Sequence, residues 1–176
     1  MRIAFDLDNT ITNTEELYHI YFDEYLKDNN LTEKDINIKL IEEFQHKYLE
    51  DVFNNVTIKQ DASKYLNLLS QDHDIYIITA RNNKYVTLED INLICERWLE
   101  SNDISPKKII TDASLEQKME ACRDNEIDIF IDDDLRNIVH VDKLNIKTIL
   151  FDDSNYYPKT KRVTNWEELY NEITNV

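Results

Sequence analysis

The chain of 176 residues contains no glycine. Glycine is the default residue wherever the backbone takes a positive φ or a ligand must approach the main chain closely. Its absence removes both the G-x-G-x-x-G dinucleotide turn and the G-x-x-x-x-G-K-[ST] phosphate loop, which depend on that close approach. Left-handed turns must then fall to Asn and Asp, the next most tolerant residues, and the chain is rich in both.

Within that limit the pattern alternates. Ile3-Ala4-Phe5 is a short apolar run of the kind a buried parallel strand shows. Further runs of strand length follow at Ile75–Ile78, Lys108–Thr111, Ile127–Ile131 and Lys147–Phe151. Helical spacing separates them: Gln60 to Ser70, Val86 to Ser101 with Leu88, Ile91, Ile94, Cys95, Trp98 and Leu99 as its stripe, Ser114 to about Asn125, a short helix to Leu144, and a last one from Trp166. Ser114-Leu115-Glu116-Gln117 has the form of a capping box. Strands alternating with helices predict an α/β fold with a doubly wound, Rossmann-like parallel sheet and right-handed crossovers.

Residues 13–59 break the alternation. A helix from Asn13 or Thr14 to about Lys27 and a second from Thr32 to Asn54-Asn55 hold no convincing strand between them. The expected organisation is a core of residues 1–12 and 60–176 with a small helical cap, 13–59, inserted after the first strand.

Functional side chains in open parallel sheets collect at the carboxyl ends of the strands. The first strand ends in Asp6-Leu7-Asp8-Asn9-Thr10, and period-two alternation points Asp6 and Asp8 to one side. The second ends in Thr79-Ala80-Arg81-Asn82, the helix after the third carries Lys118, and the fourth ends in Asp132-Asp133-Asp134. Taken singly these are ordinary: D-N is a common turn pair, an Asp run is usually a solvated turn, and surface helices are full of lysines. Together at one sheet edge they crowd five carboxylates beside one lysine, which raises carboxyl pKa values or recruits a cation. An oxygen-only donor set favours Mg²⁺. The four histidines, His19, His46, His73 and His140, have no ligand spacing, and Cys95 and Cys122 fit helix packing better than nucleophilic roles.

The formal charge of −16 weighs against extended DNA or RNA, whose binding rests on Lys and Arg. A small phosphorylated molecule stays compatible if a metal ion and local cations offset the field. No apolar run approaches the ~20 residues of a membrane span, so no membrane partner is expected. The N-terminus opens into a strand instead of a signal peptide, two cysteines imply no disulfide framework, and the cytoplasm is the expected compartment. The oligomeric state is open.

The ordered set Asp6-Leu7-Asp8-Asn9-Thr10, Thr79, Lys118 and Asp132-Asp133 resembles the four motifs of the haloacid dehalogenase superfamily of phosphatases. Asn9 stands where the family often has glycine. At a finer level Ile77-Ile78-Thr79-Ala80-Arg81, the small cap and the tail Val163-Thr164-Asn165-Trp166 are similar to the 5′(3′)-deoxyribonucleotidase, or cytosolic type C 5′-nucleotidase, family and its bacterial relatives. The resemblance implies a Mg²⁺-dependent phosphomonoesterase acting on a small phosphorylated metabolite, with a nucleoside monophosphate as the leading substrate class. Asp6 would be the nucleophile and Asp8 the acid–base. Thr79 and Lys118 would hold phosphate oxygens, and Asp132 would ligate Mg²⁺ with Asp6 and the Asp8 carbonyl, Asp133 standing beside them. Thr10, Arg81, Asn82 and, from the cap, Tyr18 are the further substrate-binding candidates. Other readings are a sugar-phosphate or polynucleotide-end phosphatase, or a non-catalytic phospholigand-binding module that kept the fold.

Overall fold

The computed structural model describes residues 1–175. Five strands, β1 Arg2–Phe5, β2 Asp74–Ile78, β3 Lys108–Ile110, β4 Ile129–Asp132 and β5 Lys147–Leu150, form one sheet in the order β3-β2-β1-β4-β5. Every neighbouring pair is parallel. The helices are α1 Thr14–Asp28, α2 Ile38–Asn55, α3 Ala62–Leu69, α4 Ile91–Ser101, α5 Leu115–Asp124, α6 Leu135–Asp142 and α7 Trp166–Thr174. The α/β doubly wound architecture expected from the alternation is the one observed.

Side-chain alternation along the strands divides the core into two layers. Ile3, Phe5, Ile75, Ile77, Ile129 and Ile131 face α3, α4 and α7, where Leu66, Trp98 and Leu169 pack. Ala4, Tyr76, Ile78, Phe130 and Leu150 face α5 and α6, against Cys122, Ile138 and Val141. The inner strands β1, β2 and β4 are buried on both faces, as their continuous apolar runs require.

The strand order reverses between β1 and β4, and a crevice opens beyond their carboxyl ends at such a switch point. Helices α1 and α2 pack on each other around their own cluster of Tyr25, Leu26, Leu40 and Phe44, with Tyr18, Tyr21, Phe22, Leu31 and Tyr48 beside it. Among the described residues no helix is long and apolar enough to cross a membrane.

Four expectations need correction. The helix expected from Val86 begins at Ile91, after the Asp90 carboxylate accepts the Asn92 amide at 2.8 Å. The amides of Thr87 and Leu88 donate to Glu50 of α2 (3.2 and 3.1 Å) instead of entering a helix, and Leu88 is 87% exposed, outside the stripe. The helix expected from Thr32 splits: its capping box with Asp35 starts only a 3₁₀ turn, and Asn37 caps α2 proper. The helix expected from Gln60 begins at Ala62, because Asp61 takes a left-handed φ of 63°. Seven of the eight positive-φ residues are Asn or Asp, and the eighth is Glu126, which pairs with Arg2. One of the seven is Asn9 (φ 59°), in the loop between Asp8 and Thr10.

Candidate active site

Asp6 continues β1 through its amide, which donates to the Ile131 carbonyl of β4 at 2.8 Å. That bond places its carboxylate beside Asp132, the last residue of β4. Lys118, in the first turns of α5, reaches back between them: its Nζ donates to Asp6 Oδ1 (2.6 Å) and Asp132 Oδ2 (2.7 Å). All three are buried. The lean of helical side chains toward the helix N-terminus is what brings Lys118 to the strand ends.

Asp132 is held more tightly than its neighbours. Asn137, one turn into α6, donates Nδ2 to both carboxylate oxygens at 3.0 Å, and the Asp134 amide donates to Oδ1 at 2.8 Å. Asp6, Asp132 and Asp133 each offer a carboxylate oxygen within 4.8 Å of the others. Burial first, then Asp132, Asp133 and Asp8, push the Asp6 carboxyl well above the usual range against the opposing pull of Lys118. Burial and the Asp132 charge likewise lift Asp133, to about 7. Burial alone would lower Lys118, but the charges of Asp6 and Asp132 hold it above its ordinary value. Two buried carboxylates thus share one ammonium with the half-buried Asp133 beside them, and an all-oxygen set of this kind with an excess of negative charge fits a Mg²⁺ ion.

Asp8 lies in a different environment on the same loop. Arg81 grips its carboxylate through Nε (3.0 Å to both oxygens) and Nη2 (2.7 Å), and Thr14 Oγ donates to Oδ1 at 2.5 Å. Burial would raise this carboxyl, but Arg81 outweighs it and keeps Asp8 below its usual range. The guanidinium is itself buried, 4.2 Å from the Phe53 ring of α2. One loop therefore carries two carboxylates whose environments separate their proton affinities.

The other candidates differ in their surroundings. Thr79 is buried at the end of β2, and its Oγ accepts the Arg81 amide at 3.3 Å. Thr10 is buried with no hydrogen-bond partner for its hydroxyl, and Arg81 Nη1 is likewise unpaired. Asn82 bonds only locally, donating to the Ala80 carbonyl (3.2 Å) and accepting the Lys84 amide (2.9 Å). Tyr18 lies in the aromatic cluster of α1 and α2, 6.2 Å from the Phe22 ring and edge-on to Phe44 at 5.0 Å.

Three residues beside the site were not singled out from the sequence. Asn137 follows the acidic run by one helical turn, a spacing that could have drawn notice. Thr14 looked only like a helix cap, and its link to Asp8 is tertiary. Lys59 is buried and pairs with Asp153 at 2.6 Å, across 94 positions of sequence that no local pattern connects.

No family model matches the chain. In fold the protein matches haloacid dehalogenase-like hydrolases. One is the putative hydrolase YfnB of Bacillus subtilis, solved bound to magnesium (TM-score 0.68, 16% identity, 99% of this chain and 98% of that one). Another is a predicted phosphatase from Clostridium acetobutylicum (TM-score 0.65, 15% identity, 99% and 98%). In sequence it is similar to a second protein of Clostridium acetobutylicum, named a nucleotidase, at 26% identity over 97% of this chain and 92% of that one. The chain resembles the haloacid dehalogenase superfamily phosphatases, and within them nucleotidases.

Proposed function

We propose that the protein is a phosphomonoesterase acting through an aspartyl-phosphate on Asp6, on a small phosphorylated metabolite of the nucleoside monophosphate class. The observation that carries this reading is the unequal pair on one loop. Asp6 sits in the carboxylate–lysine cluster and Asp8 sits two residues away under Arg81 and Thr14. A module that only bound phosphate would have no use for a second, separately oriented carboxylate.

Each residue's part follows from where it lies. Asp6 attacks phosphorus, and the bond from phosphorus to the leaving oxygen breaks as the Asp6–phosphorus bond forms. Asp8 gives the leaving oxygen its proton, then takes one from the water that attacks the acyl phosphate. To do so it must exchange at least one of its donors, Arg81 or Thr14, for the substrate. Lys118 and Thr79 hold the phosphoryl oxygens, and the buried, unpartnered Thr10 hydroxyl is a further donor for them. Asp6, Asp132, Asp133 and the Asp8 carbonyl would hold Mg²⁺, which supplies charge neutralisation for the transferring group. Residues 13–59 act as a cap over this core and exclude water from it. The expected setting is the cytoplasm, consistent with substrates of this class.

The nucleotide assignment rests on the relative named a nucleotidase and on the acidic surface, which disfavours polynucleotide ends. Release of inorganic phosphate from a panel of deoxynucleoside, nucleoside and sugar monophosphates, with and without Mg²⁺, tests it. Turnover confined to sugar phosphates would replace the nucleotide reading, and no turnover of any ester would remove the enzyme reading.

A further inference from the structure

The segment after β5 is built around a buried charge. Asp152 is 4% exposed, and its two carboxylate oxygens accept the amides of Tyr156 and Tyr157, both at 2.8 Å. Arg162 Nε stands 3.2 Å from the same carboxylate, and its Nη2 donates to Asn155 Oδ1 at 2.7 Å, where Asn155 takes a φ of 60°. The two ends of the segment are tied together, Asp152 amide to Val163 carbonyl (2.9 Å) and Val163 amide to Leu150 carbonyl (3.0 Å). A buried carboxylate is retained only where it is fully paired, and here its partners are the backbone and arginine that shape this turn. The turn is preorganised, and what it presents is Tyr156, 63% exposed.

Two independent contacts locate that side chain. The turn springs from Phe151, whose amide donates to the Asp132 carbonyl at 3.0 Å, so its base adjoins the carboxylate cluster. Across the crevice, Tyr156 Oη donates to Glu15 Oε1 at 2.9 Å. Glu15 is fixed beside the catalytic loop, since its amide donates to Asn9 Oδ1 at 2.8 Å. Tyr156 therefore spans from the end of β5 to the first turn of α1, over the opening between them. The hydrogen bond and charge of Glu15 raise the Tyr156 phenol above its ordinary value, with Asp152 and Asp133 adding to them.

We propose that Tyr156 is the specificity-determining residue of this site, its ring forming the surface on which the leaving group of the substrate rests. This deepens the nucleoside monophosphate reading and depends on it. The aromatic residues of the cap that could meet a base are engaged with one another, whereas Tyr156 is largely exposed and its hydroxyl has a single exposed hydrogen bond to exchange. A base stacked on an aromatic side chain loses binding when that side chain becomes alanine, and the phosphate chemistry beneath is common to every ester.

The test compares wild type, Tyr156→Ala and Tyr156→Phe on thymidine 5′-monophosphate and on ethyl phosphate, which has no base, with thermal melting as the check on folding. Tyr156→Ala should raise KM for the nucleotide about tenfold, as loss of one stacking contact does. kcat should change little, the loss on ethyl phosphate should be far smaller, and Tyr156→Phe should stay near wild type because it keeps the ring. Equal losses on the two esters, no loss on the nucleotide, or a Tyr156→Phe variant as impaired as Tyr156→Ala would overturn the proposal. Wild-type protein that hydrolyses neither ester would overturn the nucleoside monophosphate reading and this one together, a result distinct from the other three.

Discussion

The floor of the crevice and its mouth are held together by opposite kinds of interaction. On the floor, Lys118, Asp6 and Asp132 meet at 2.6 and 2.7 Å with almost no exposure. At the mouth, α2 meets the segment after β2 through Glu42 with Tyr85 (3.2 Å) and Lys84 (3.8 Å), and α1 meets the segment after β5 through Glu15 and Tyr156. All of these mouth contacts are at the surface. Removing one partner of a buried charged pair typically costs about 3–5 kcal/mol, whereas exposed pairs contribute about 0–1 kcal/mol. Leaving Lys118 without either carboxylate would therefore be costly, while the mouth can exchange its contacts for a ligand at little cost. Arg81 joins the two: its guanidinium holds Asp8 below and lies against Phe53 of α2 above.

The comparison breaks first at Asp6. Asp6→Asn should lower turnover by at least about a thousandfold, since the amide is a poor nucleophile, and it should leave the fold intact. Melting temperature in the absence of Mg²⁺ should hold or rise, because one of three crowded carboxylates is neutralised while Lys118 keeps Asp132 as its partner. Near-wild-type activity in the purified variant would exclude the covalent route.

Chelation acts on the same floor. Excess EDTA should abolish phosphate release and Mg²⁺ should restore it, with Ca²⁺ inhibiting because it takes more ligands at longer distances. Mg²⁺ should also raise the melting temperature, by about 2.7 kcal/mol of stabilisation at a hundredfold excess over its dissociation constant. A melting curve indifferent to Mg²⁺ would dissociate the cluster of Asp6, Asp132 and Asp133 from metal binding.

Arg81 sharpens the boundary. Arg81→Ala frees Asp8, and the loss should be largest where the leaving oxygen needs a proton. A fall of about a hundredfold is expected on an alkyl phosphate and a clearly smaller one on p-nitrophenyl phosphate, whose leaving group departs unaided. Parallel losses on both esters would assign Arg81 to phosphate binding instead.

The smallest effect is expected at Tyr18. Its ring packs on Phe22 and Phe44, so Tyr18→Ala should lower the stability of the α1–α2 pair, read by hydrogen exchange, and reduce kcat/KM a few-fold on every ester alike. A loss confined to nucleotides would place Tyr18 in the leaving-group site beside Tyr156.

The floor was legible in the sequence because each of its parts ends an apolar strand or opens a helix. Asp6, Thr79 and Asp132 stand at strand ends, and Lys118 follows a capping box, so topology alone gathers them. The left-handed Asn9 was legible for a related reason, since a chain without glycine leaves few residues for such a turn. The mouth was not legible. Glu50 captures the amides of Thr87 and Leu88, and Asp152 those of Tyr156 and Tyr157. In the first case a helix-like pattern from Val86 lost to a tertiary partner that no local window contains. In the second, nothing in the run Asp152–Pro158 announces which of its aspartates turns inward.

The central claim is that Asp6 carries the phosphoryl group during turnover. It is tested by mixing the protein with Mg²⁺ and a nucleoside monophosphate, quenching in acid within the first turnovers, and mapping phosphorylated peptides by mass spectrometry. The account predicts a hydroxylamine-sensitive phosphoryl group on Asp6, in the peptide that also contains Asp8, and none in Asp6→Asn. Steady turnover with no phosphoryl group on Asp6, or with one on another residue, would contradict it.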